Sequence, residues 1–324
     1  MKKFIVVVLL LLALVSAGFY GLGMSIPPQP ELAGSLRQQS LNWDGITRDY
    51  AVYEPAKLAA KPALVIVMHG SMGNPEQARS AYAYAFDQLA DEHGFLVVYP
   101  HGFEDHFNGC RLQGPYSAKQ QQIDDVGFLR ALVARLVEQN NANPAAIFAT
   151  GISNGGQMAM RLALEAPDLV TAVASVAASL PAPANMDCVA SGEPAAVLLM
   201  NGTDDPMNPY AGGIVALYGL VGDRGEVLSS QDTIKYWAQL AGHTTPPERR
   251  TLANTVSDDN STVEVSSWEA PGRKPVQLYT IIGGGHNVPH PQLKLPRLLG
   301  GTNNDIVGAQ EIWRFFNLAY EASR

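Results

Sequence analysis

Ala146-Ile147-Phe148-Ala149-Thr150-Gly151-Ile152-Ser153-Asn154-Gly155-Gly156-Gln157 (residues 146–157) carries a short apolar run into a glycine-framed serine and out into a helical stretch. The run Ala146–Thr150 reads as a strand covered on both faces, because such strands are continuous rather than alternating. Gln157 to Ala166 has helical composition. Between them, glycines two residues before and two residues after Ser153 permit a tight, strained turn that lifts the serine hydroxyl above the end of a sheet. Ser153 is therefore the candidate nucleophile.

Outward from this turn the same alternation repeats. Ile46–Tyr53 reads as an early strand, Ala63–Met68 as a buried strand ending at His69-Gly70, and Phe95–Pro100 as another ended by proline. Ala78 to His93 is expected to form one helix that stops at Gly94. Ile123 to Asn140 is the next, with Val126, Leu129, Leu132, Val133, Leu136 and Val137 at spacings of three and four. Val170–Ala177 and Ala195–Met200 read as strands, Ser230–Ala241 as a helix, Glu264–Trp268 and Val276–Ile282 as a strand pair, and Val307 to Tyr320 as a closing helix. Repeated strand–helix units imply an α/β fold: a mostly parallel central sheet with helices on both faces.

A serine hydroxyl is a poor nucleophile at neutral pH, so a base must take its proton and an acid must orient that base. On a sheet of this kind the partners follow downstream, acid before histidine, each on a loop after a later strand. Asn201-Gly202-Thr203-Asp204-Asp205-Pro206 follows the strand ending at Met200, and Asp205 is the expected acid, with Asp204 left to cap the turn. Of seven histidines, His286 follows the strand at Leu278–Ile282 and the flexible Gly283-Gly284-Gly285, and is the expected base. His290 lies in a proline-flanked loop and reads as loop structure. An oxyanion requires backbone donors. The amide of Asn154 is one candidate, and that of Ser71 or Met72, in the glycine-framed segment His69–Gly73, is the other. His69 itself reads as structural.

The chain has 324 residues, 47% apolar and 16% charged, enough for one large core. Lys and Arg total 22 against 30 Asp and Glu, for a net charge of −8. That balance disfavours nucleic acid as a partner. Lys2 and Lys3 ahead of the apolar run Phe4–Val15, with Val15-Ser16-Ala17 as a cleavage site, read as a signal peptide over residues 1–17; the rival is an uncleaved anchor to about residue 24. A Pro-rich tether over 18–35 and a catalytic domain over 36–324 follow. Either N-terminal reading puts the body outside the cytoplasm, secreted or periplasmic, with a membrane contact only if the segment stays uncleaved. In an oxidising compartment the two cysteines, Cys110 and Cys188, are expected to pair; the alternative is two buried thiols. No metal and no cofactor are expected: His286 and His290 are four apart, but Pro289 breaks any helix between them.

Taken together, Asp44-Gly45 with Arg48 and Tyr50, His69-Gly70 with Gly73, Ile123–Phe128, Thr150–Gly156, Gly202-Thr203 with Asp205, Pro209-Tyr210, Gly284-Gly285-His286 and Trp313 with Phe315-Phe316 form a pattern from Trp43 to Tyr320. It resembles the polyhydroxybutyrate depolymerase and feruloyl esterase family. The resemblance implies the α/β-hydrolase fold and a secreted serine esterase working through an acyl-enzyme. The substrates it implies are hydroxyalkanoate oligomers, or feruloyl or acetyl esters of polysaccharides. The sequence departs from the family where Asn201 replaces a frequent histidine and where Asn287-Val288 replaces Thr-Trp, and these changes bear on the substrate pocket rather than the triad. With no polymer-binding module read after Tyr320, a small or oligomeric ester is expected. The alternatives are a serine peptidase of the same fold and a non-catalytic glycan- or polymer-binding domain.

Overall fold

The computed structural model describes residues 25–324, so the expected signal peptide and the first part of the tether lie outside the described residues. Twelve strands are described: β1 Ser35–Trp43, β2 Ile46–Glu54, β3 Leu64–Met68, β4 Leu96–Pro100, β5 Ile147–Ile152, β6 Ala172–Val176, β7 Ala196–Gly202, β8 Gly213–Ile214, β9 Glu226–Val227, β10 Glu248–Thr251, β11 Thr262–Trp268 and β12 Val276–Ile282. The helices are α1 Pro75–Ala81, α2 Ala85–His93, α3 Ser117–Gln120, α4 Asp125–Asn140, α5 Asn154–Glu165, α6 Ser230–Leu240 and α7 Gly308–Glu321.

Ten strands form one sheet in the order β1-β2-β4-β3-β5-β6-β7-β12-β11-β10. The central six, β4 to β12, run parallel, and antiparallel pairs close both ends. The continuous apolar runs are explained by two cores. Leu64, Ile66 and Met68 face the side covered by α4, α5 and α6, where Phe128, Met158 and Trp237 pack, while Val65 and Val67 face α2 and α7 with Phe86, Phe315 and Phe316. Each such side chain stabilises the fold by roughly 1.5–3 kcal/mol on full burial.

Two expectations change. The single helix expected over Ala78–His93 is two, because Ala83 (φ 51°) and Tyr84 (φ 59°) turn left-handed. The break lets Arg79 reach Asp87 at 2.8 Å across it and brings the Tyr84 hydroxyl to Glu76. β1 and β10 were not expected at all. β1 is half exposed and β10 wholly exposed, so neither carries an apolar period. Residues 26–34 follow neither helix nor strand, but Ser25 exchanges backbone hydrogen bonds with Lys294.

Between β3 and its two neighbours the chain changes direction: β4 lies on one side and β5 on the other. At such a switch the loops after the strands splay apart and leave a crevice at the carboxyl end of the sheet. The parallel registers bring Met68 beside Gly151, Ile152 beside Val176, Val176 beside Met200, and Gly202 beside Ile281. The loops that begin at 69, 153, 177, 203 and 283 therefore emerge along one edge.

Candidate active site

Ser153 sits at the tip of β5 with φ 55° and ψ −112°, a conformation that costs a non-glycine residue of order 1–3 kcal/mol. The strain is held by close packing. A Cβ added to Gly151 would lie 2.4 Å from the Gly155 carbonyl carbon, and one added to Gly155 would lie 2.3 Å from the Met68 carbonyl oxygen. These atoms are backbone and cannot swing away. Gly155→Ala is therefore expected to destabilise the fold by about 1–3 kcal/mol or more, measured as a lower urea midpoint; an unchanged midpoint would mean that the turn is not packed as described.

Ser153 and His286 line one pocket. His286 Nδ1 lies 2.8 Å from Asp205 Oδ2, while Asp205 Oδ1 accepts from the amides of Met207 and Asn208, both at 2.8 Å. With both oxygens engaged, the carboxylate is fixed in orientation and Nδ1 of the imidazole is the protonated nitrogen. That leaves Nε2 as the acceptor. Asp204 is exposed and its carboxylate accepts only from Thr203 Oγ1 among the described residues.

The His286 loop is held from below. The His286 amide donates to Leu299 O at 2.6 Å and the Gly285 amide to Gly301 O at 2.7 Å, and a Cβ on Gly285 would meet Leu299 O at 2.0 Å. His290 is buried, its burial lowers its pKa, and its Nδ1 accepts from the Gln292 amide.

The segment after β3 abuts the nucleophile: a Cβ added to Gly70 would lie 3.6 Å from Ser153 Cβ. Among the described residues, the amides of Ser71, Met72 and Asn154 donate to no acceptor in the chain. Met72 is left-handed at φ 59° and 71% exposed. His69 braces this segment. Its Nδ1–H donates to Gly70 O at 2.7 Å and its Nε2 accepts from the Gly102 amide at 2.9 Å, which requires a neutral ring. Burial pushes its pKa down to about 4, in keeping with that use.

The loop over the other side of the site is latched to the elbow helix. The Asn154 side chain exchanges two hydrogen bonds with the backbone of Phe107, at 2.7 and 2.9 Å. Asp125 accepts from the Asn108 amide and pairs with buried Arg48, both at 2.6 Å. Cys110 and Cys188 form a disulfide with Cα atoms 4.9 Å apart across a separation of 78 residues. On the chain-entropy account such a crosslink is worth about 4 kcal/mol.

Asn201, at the end of β7, bonds to the backbone of Ala178 and the hydroxyls of Ser179 and Ser230, so it fastens β7 to α6 beneath the site. Two pocket residues had no signal in the sequence, Arg111 and Arg224. Isolated arginines in irregular segments carry no period or motif, and the sole cue was that one of them follows Cys110.

The chain is similar to known esterases over much of its length. Residues 48–198 match the family described as Esterase PHB depolymerase. Acetylxylan esterase A of Talaromyces purpureogenus is 26% identical over 314 residues, covering 89% of this chain and 76% of that protein. Feruloyl esterase B of Neurospora crassa is 30% identical over 157 residues, 48% of this chain and 52% of that one. Among solved structures, the acetyl xylan esterase from Aspergillus awamori superposes with a TM-score of 0.56 at 18% identity, covering 88% of this chain and 99% of that chain. At that identity the likeness is one of fold, the α/β-hydrolase.

Proposed function

We propose that this chain, whose residues 48–198 match the family described as Esterase PHB depolymerase, is an exported serine esterase that hydrolyses carboxylic esters through an acyl-enzyme, with Ser153, His286 and Asp205 as its triad. The single observation that carries the proposal is the pocket lined by both Ser153 and His286, with the imidazole held 2.8 Å from Asp205.

Ser153 Oγ attacks the ester carbonyl carbon as its proton passes to His286 Nε2. The carbonyl oxygen becomes an oxyanion that accepts from the amide of Asn154 and from that of Ser71 or Met72; losing one such donor typically costs about 10²- to 10³-fold in rate. Collapse breaks the bond to the alcohol oxygen, which leaves with the proton from His286. Water then attacks the acyl-enzyme, His286 takes its proton, and Ser153 is released with the carboxylic acid. Asp205 keeps its charge throughout and stabilises the imidazolium.

Acetyl, feruloyl or hydroxyalkanoate esters, free or attached to a polysaccharide, are the substrate class that the relatives' names support. The disulfide supports an oxidising compartment, secreted or periplasmic, as its site of action. Among the described residues no helix is long and apolar enough to cross a membrane. Residues 36–324 then act as one catalytic domain behind a Pro-rich tether, with residues 1–17 as a cleaved signal. A panel of p-nitrophenyl acetate, methyl ferulate, acetylated xylan and hydroxybutyrate oligomers tests the reading. Turnover of at least one is expected, and turnover of peptide amides in preference to all four would overturn it.

A further inference from the structure

Arg111 is 3% exposed. The other arginines buried to the same degree are both neutralised, Arg48 by Asp125 and Arg79 by Asp87. Arg111 has no such partner: among the described residues it forms no ion pair, and its Nε is buried without a hydrogen-bond acceptor. Arg224, only partly buried, also has a buried Nε that lacks an acceptor, and the Tyr116 hydroxyl lies beside Arg111. Both arginines line the pocket that holds Ser153 and His286.

A guanidinium carries five donors in a planar fork and does not give up its charge. Burying Arg111 unpaired beside the half-buried Arg224 costs stability, and that cost has a use where an anion arrives to complete the site. The setting is rigid, as a binding site should be. Arg111 follows the disulfide half Cys110, and its neighbours are held through Leu112 N to Asn185 O at 2.7 Å and Asp187 N to Cys110 O at 2.9 Å. The Asn185 side chain in turn donates to Arg224 O at 3.1 Å and accepts from the Gln113 amide at 2.9 Å, so one side chain ties both arginine segments together. The chain as a whole is acidic, at −8, so a cationic spot beside the nucleophile is not a general surface property.

We propose that Arg111 and Arg224 form a carboxylate subsite, and that the preferred substrate is an ester bearing a carboxylate a few bonds from the scissile carbonyl. This rests on the esterase reading. The carboxylate can sit on the acyl or on the alcohol side, and the chemistry of recognition is the same for both: a bidentate fork on a planar anion.

Two matched pairs distinguish the sources. On the acyl side, mono(4-nitrophenyl) glutarate is compared with 4-nitrophenyl 4-carbamoylbutanoate; on the alcohol side, 3-acetoxybutyrate is compared with 3-acetoxybutanamide. In the wild type, kcat/KM for the carboxylate is expected to exceed that for the amide by about tenfold or more in one pair, and Arg111→Gln is expected to bring that ratio down about tenfold or more. Arg224→Gln, on a partly exposed segment, should lower the same ratio and serves if the Arg111 variant does not fold. Arg111→Gln should also raise Tm, whereas loss of a merely structural arginine would lower it. A wild-type ratio near one in both pairs, or a ratio unmoved by the substitutions, overturns the subsite while leaving the esterase intact. Failure to turn over any of the four compounds while p-nitrophenyl acetate is hydrolysed overturns the subsite alone; failure on p-nitrophenyl acetate as well removes the esterase reading, and the subsite with it.

Discussion

Ser153→Ala and His286→Ala are each expected to lower kcat for ester hydrolysis by about 10⁴- to 10⁶-fold, and the double variant to lose little more than either alone. The reason is that the two side chains perform one step together. Without the hydroxyl there is nothing for the imidazole to activate, and without the imidazole the hydroxyl keeps its proton. What remains is the rate from binding and from the backbone donors at Asn154 and Ser71 or Met72, which act whether or not the triad is whole. The fold should survive both changes, because the close packing around the turn is made by Gly151 and Gly155 rather than by the serine side chain. Steady-state kinetics with p-nitrophenyl acetate, alongside thermal unfolding, checks this. A loss of less than about tenfold in a folded Ser153→Ala protein would be incompatible with an acyl-enzyme on that residue.

The second expectation separates two neighbouring acids. Asp205→Asn should lower kcat by about 10⁴-fold, while Asp204→Asn should leave it within about threefold of the wild type. Asp205 Oδ2 faces His286 Nδ1 at 2.8 Å and its other oxygen is held by two amides. If the amide replacing it turns its NH₂ toward His286, the imidazole must present Nδ1 as an acceptor and carry its proton on Nε2, the nitrogen that has to accept from Ser153. Asp204 is exposed, and its carboxylate accepts from Thr203 Oγ1 rather than from His286. Parallel kinetics on the two variants read the difference directly, and equal losses would mean that the loop after β7 contributes through its backbone rather than through one carboxylate.

Those aspartates also illustrate how far the sequence could be read. The buried central strands were legible because a strand covered on both faces must be apolar at every position, as Leu64–Met68 and Leu96–Pro100 are. The elbow was legible because only glycine fits two residues either side of the serine, Gly155 lying against Met68 O and Gly151 against Gly155. The pairing of Cys110 with Cys188 was legible from an even cysteine count. The edge strands were not, since Ser35–Trp43 and Glu248–Thr251 bury too little for alternation to show. Neither was the break between α1 and α2, because left-handed Ala83 and Tyr84 replace the glycine or proline that would have marked it. Nor could the sequence show that Asn201 is a fastener between β7 and α6, or that Arg111 and Arg224 meet at the site. Those facts depend on which loops emerge side by side, which follows from the strand order and from no local pattern.

Ester hydrolysis at this site requires that Ser153 Oγ carry the acyl group. The most direct measurement treats the folded protein with a fluorophosphonate and maps the modified residue by mass spectrometry. One adduct is expected, on Ser153, that fails to form in His286→Ala; labelling of another residue with Ser153 unmodified would exclude Ser153 as the nucleophile.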